Sequence, residues 1–142
     1  MTLSQDTRIP PPATTRLAAL RGNCMGAAVL LIVQFGLGIG VNLYVTLPAH
    51  KSFFATVFDS IPVAVHAIVA LALLGAAIAA LVRALGVRRA VVFTSAGRDA
   101  IVAAAAAGVS FAAGQSDGAS LAMALATAVA MFCYLAAIFS VR

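Results

Sequence analysis

The sequence predicts an all-α integral membrane protein: an antiparallel four-helix bundle with both termini on the cytoplasmic side and a short amphipathic segment in its outer loop. Three observations carry this. The 142 residues are 63% hydrophobic and only 9% charged, with a mean hydropathy of +1.09; a water-soluble domain of that size keeps far more charge on its outside. Four stretches are long and apolar enough to cross a hydrocarbon core roughly 30 Å thick at about 1.5 Å per residue. Eight of the nine basic residues fall on one side of those stretches.

The elements follow in order. Residues 1–22 are polar and include Pro10, Pro11 and Pro12, so they read as a disordered cytoplasmic tail. The apolar run behind them is too long for the core of a signal peptide and no A-x-A site closes it, so a retained anchor is expected. The first span is 24–47, free of charge throughout. Within it lies QFGLGIGVN, residues 34–42, where Gly36 and Gly40 form a GxxxG with Gly38 between them. In lipid, where apolar burial drives nothing, small residues let a neighbouring backbone approach closely. The mid-span position and the GxGxG spacing exclude a dinucleotide fingerprint.

The outer loop contains HKSFFATVFDS, residues 50–60. Phe53, Phe54, Val57 and Phe58 recur at helical spacing, with Lys51 and Asp59 turned to water, the pattern of a helix lying in the interface. Ser60 is placed to cap the second span, 61–82, and Pro62 falls in its first turn, where an amide proton has no partner. The third span is set at 95–114, with Arg98 and Asp99 near the headgroups, and the fourth at 119–141. Arg8, Arg16 and Arg21 precede the first span, Arg83, Arg88, Arg89 and Arg98 lie between the second and third, and Arg142 ends the chain. Basic residues mark the cytoplasmic face of a bacterial plasma membrane. The same bias accounts for the pI of 10.3 without nucleic acid, for which no basic soluble module exists. Cys24 and Cys133 read as reduced packing residues.

Polar groups inside spans are costly and mark places to look for function. Counting inward from the outer ends puts Asn42, His66, Ser110 and Met123 at one level, with Gln34 deeper. His66 is the only histidine in a span. It either cements the bundle through Asn42 or Ser110, or ligates a metal: an imidazole nitrogen on a haem b iron, with Met123 or His50 as the second axial ligand. A quinone is the other flat ligand such a pocket would suit. The stretch VQFGLGIGVN, the proline-containing loop and VAVHAIVALALLGAAIAAL resemble the first two helices of one half of haem A synthase, over residues 30–82. That resemblance implies a haem site in which Gln34, Gly38 and His66 hold the family's positions. The fourth span lacks the further histidine of that family, and the chain has no glutamate, so the resemblance does not extend to haem A synthesis. The chain also resembles small four-helix membrane proteins of high-GC bacteria with no assigned role.

Several classes are disfavoured. A proton-coupled exporter needs a carboxylate deep in the membrane, a channel needs a polar ring around a pore, and a hydrolase needs an oriented base beside its nucleophile. Two readings remain. The first is a non-catalytic accessory or structural subunit, with lipid and other membrane subunits or further copies of itself as partners. The second is a haem- or quinone-binding bundle with cofactor-binding residues Gln34, Gly38, Asn42, His66 and Met123.

Overall fold

The computed structural model describes residues 13–45, 53–114 and 116–140. These are 95% helical, with no strand among them. The five helices are α1 (Ala13–Tyr44), α2 (Phe53–Asp59), α3 (Ile61–Ala84), α4 (Arg88–Gly114) and α5 (Asp117–Ser140). All but α2 are long and apolar enough to cross a membrane. The expected tail prolines, Arg8, His50, Lys51 and Arg142 lie outside the described residues.

Two helices start earlier than the hydropathy pattern predicts. α1 begins at Ala13 and α4 at Arg88, so residues 13–22 belong to a helix and not to a tail. A count of charge-free residues finds what hydrocarbon tolerates, whereas helix formation tolerates arginine well. Leu20, one turn before the charge-free stretch, is already fully buried. Arg98 and Asp99 accordingly fall inside α4, about 15 Å from its start. There they neutralise each other through contacts of 3.0 and 2.7 Å from the guanidinium to one carboxylate oxygen.

The four long helices form a square. α1 touches α3 and α5, and α4 touches the same two, so α1 and α4 stand on opposite corners. α2 lies against α3 and α4. Connections are short because local chemistry closes them. Ser60 is extended at φ −130° and precedes α3, whose first turn carries Pro62. Its carbonyl accepts from Ala64, but its hydroxyl makes no cap bond. Gly86 turns the chain out of α3 at φ +100°, a backbone state that a side chain disfavours. Ser116 caps α5, its hydroxyl accepting from the Ala119 amide at 3.2 Å.

Burial is concentrated at one end. The buried seams are Leu73, Ala77, Ala80 and Ala84 on α3, Ala90, Thr94, Gly97 and Ile101 on α4, and Thr127, Ala130, Tyr134 and Ala137 on α5. Alternating steps of three and four keep one face of each helix turned inward. The three seams lie mainly in the halves nearer Arg83, Arg88 and Arg89, as do Leu20, Cys24 and Ala27 on α1. Near α2 only Thr56 and Val63 are buried among the described residues. The bundle is therefore close-packed at its arginine end and open at its α2 end. Large side chains such as Ile32, Phe35, Ile68, Leu71, Val102 and Leu125 point away from the chain, as lipid contact requires.

Candidate functional site

The arginine end of the α1–α3 pair is joined by a polar clamp. Arg83 donates to the Asn23 side-chain oxygen at 2.9 Å and to the Ala19 carbonyl at 3.5 Å. Asn23 in turn donates to the Ala76 carbonyl at 3.2 Å. Sequence reasoning passed over Asn23, although a lone amide at the mouth of an apolar run is the kind of residue that finds a partner in lipid.

Further along, Gln34 of α1 meets His66 of α3, with 3.1 Å between Nε2 and Nε2. The amide donates, so the imidazole accepts at Nε2 and carries its proton at Nδ1. Gly38 makes the approach possible. A Cβ there would stand 3.3 Å from His66 Cε1, tighter than ordinary packing. Gln34 Oε1 and His66 Nδ1 are buried and without a hydrogen-bond partner among the described residues.

Of the residues singled out in the sequence, Gln34, Gly38 and His66 are thus brought together. Asn42 and Ser110 are exposed, and neither is the partner of His66. Asn42 does not lie level with His66, because the two helices do not end level. α1 runs ten residues past Gln34 to Tyr44, while α3 starts five before His66, a difference of about 7.5 Å. Each four-residue step also drifts about 40° around a helix, so Asn42 lies about 80° round from Gln34. Met123 sits elsewhere: its sulfur lies 3.4 Å from where a Gly108 Cβ would stand, between α5 and α4.

Nε2 of His66 is engaged by Gln34 and its Nδ1 is buried, Met123 packs against Gly108 of α4, and His50, the other expected axial ligand, lies outside the described residues. Among the described residues no three of His, Cys, Asp and Glu cluster as metal ligands. What the pair does is join two helices. Gln34→Leu is expected to destabilise the fold by about 0.6 kcal/mol and by no more than about 1.7, the range of such contacts in membranes. The double variant Gln34→Leu/His66→Leu should recover most of that loss, because it removes the orphaned atoms as well. A thermodynamic cycle from unfolding titrations in detergent measures the coupling, and strictly additive losses would show that the two residues act independently.

The glycines of QFGLGIGVN divide in an unexpected way. Gly38 packs inward on His66, whereas a Cβ at Gly36 or Gly40 would meet no atom of the described residues within 4 Å. The GxxxG that read as a contact inside the bundle faces outward. Gly38 lies about 160° from Gly36 and from Gly40 around α1, so one helix cannot turn all three inward. The glycine that does close the bundle is Gly97, where a Cβ would stand 2.9 Å from the ring of Tyr134. Comparison with protein families, characterised proteins and solved structures finds no match to this chain.

Proposed function

We propose that the chain is a non-catalytic accessory or structural subunit of a membrane complex in a bacterial plasma membrane. It crosses four times as an antiparallel bundle with both termini in the cytoplasm. The outward GxxxG carries the reading. Membrane helices associate where small residues let backbones close in, and Gly36 and Gly40 offer that approach to something outside the chain. They lie in the half of the bundle that its own side chains leave open, which a partner helix would fill. The alternation of direction is supported by the polar contacts of α1 and α3, where residue 23 pairs with 76 and 83 but 34 pairs with 66. The arginine bias supports the cytoplasmic placement.

The test is Gly36→Ile combined with Gly40→Ile, expressed in the native membrane. Neither new side chain begins in contact with the bundle, so helicity and the melting transition should be kept. A stoichiometric partner that crosslinks to the wild type, whether another subunit or a second copy, should be lost. A wild type that remains partnerless, or a variant that retains its partner, ends this reading. A Soret band in the purified protein that His66→Ala abolishes would replace it with haem binding.

A further inference from the structure

The arginine end carries a groove of about 600 Å³ between α4 and α5, with Arg88 and Arg89 at its mouth and Val92, Phe93, Ala136 and Phe139 along its walls. Chain order fixes its polarity. The two arginines open α4, and the apolar residues follow one turn deeper and on the facing end of α5. Neither guanidinium has a hydrogen bond or an ion pair among the described residues. Of the acids among the described residues, Asp99 is held by Arg98, and Asp59 and Asp117 lie at the α2 end. Ser140, also on the rim, spends its hydroxyl on the Ala137 carbonyl at 2.8 Å. The slot is therefore cationic at the mouth, apolar along its length, and open on the flank that faces lipid.

We propose that this groove holds an anionic phospholipid, its phosphate between Arg88 and Arg89 and an acyl chain along Val92, Phe93, Ala136 and Phe139. Guanidinium groups pair with phosphate oxygens through two parallel donors, and basic recesses between helices at the cytoplasmic surface suit acidic headgroups. A free phosphate would engage the mouth and leave the apolar wall unused. The inference rests on the membrane reading given above, but it needs no partner subunit, so the two fail separately.

The experiment uses the full chain in mild detergent, with dioleoyl phosphatidylglycerol and dioleoyl phosphatidylcholine at equal mole fraction, and counts retained lipids by native mass spectrometry. The phosphatidylglycerol form should be favoured by about thirtyfold, the weight of two basic side chains at a charged surface. Arg88→Gln/Arg89→Gln should abolish the preference, and the charge-matched control Arg16→Gln/Arg21→Gln should keep it. Equal retention of the two lipids by the wild type would overturn the proposal. So would an equal loss in both double variants, which would mean diffuse attraction, or displacement of the lipid by millimolar inorganic phosphate, which would mean a pocket for the anion alone.

Discussion

Gly97→Ala is expected to destabilise the bundle by about 1–3 kcal/mol, and Gly97→Leu to prevent its assembly, because inserted volume in a close-packed interior forces side chains and backbone apart. The new Cβ would meet Tyr134 at 2.9 and 3.2 Å and the Cys133 Cβ at 3.3 Å. Neither neighbour is free to step aside: Tyr134 has no exposed surface, and Cys133 Cβ is fixed to the α5 backbone. The gain in helix propensity from glycine to alanine, about 1 kcal/mol, offsets only part of the clash. Gly36→Ala and Gly40→Ala meet nothing, and are expected to leave stability within about 0.5 kcal/mol or raise it slightly. Unfolding titrations of the three alanine variants decide the matter. A Gly97→Ala protein as stable as the wild type would mean that α4 and α5 are not in the contact described.

Tyr134→Ala should cost about 3–5 kcal/mol, the loss typical of deleting a buried aromatic ring. Tyr134 is the largest fully buried side chain. It stands on α5 against Gly97 of α4, with the free thiols of Cys24 and Cys133 among its neighbours, so its removal opens a void where three helices meet. Tyr134→Phe should behave in the opposite sense. The hydroxyl is buried without a hydrogen-bond partner among the described residues, and deleting an unsatisfied polar group relieves about 1–3 kcal/mol of desolvation. A phenylalanine variant less stable than the wild type would show that the hydroxyl is bonded after all, to a group the ring reaches in solution. Thermal melts of both variants in one detergent separate the two contributions: the ring holds the bundle together, while the hydroxyl opposes it.

The candidate site was half legible. Gln34 and His66 are legible by type, because an amide and an imidazole in an apolar helix require partners, whereas Gly38 enters the site through the resemblance to haem A synthase. That Gln34 and not Asn42 would reach His66 was not legible. It depends on the offset between the ends of α1 and α3, and no residue within either helix records that offset. The role of Gly97 was missed for a related reason. It lies in a stretch with Ser95, Arg98 and Asp99 that reads as a helix end, and only the facing ring of Tyr134 shows what the missing side chain makes room for.

Hydropathy is a sum along the chain, and so the sequence by itself determined that there are four apolar helices, roughly where they lie, and that basic residues crowd one set of their ends. Arginine does not stop a helix, so the same sum misjudged where α1 and α4 begin. Facing is a relation between helices: which glycine meets a ring, which meets nothing, and which end of the bundle closes. Lipid rewards apolar residues on every side of a helix equally, so composition leaves those choices open, and the packing of Tyr134, Gly97 and the alanine seams settles them in the tertiary structure.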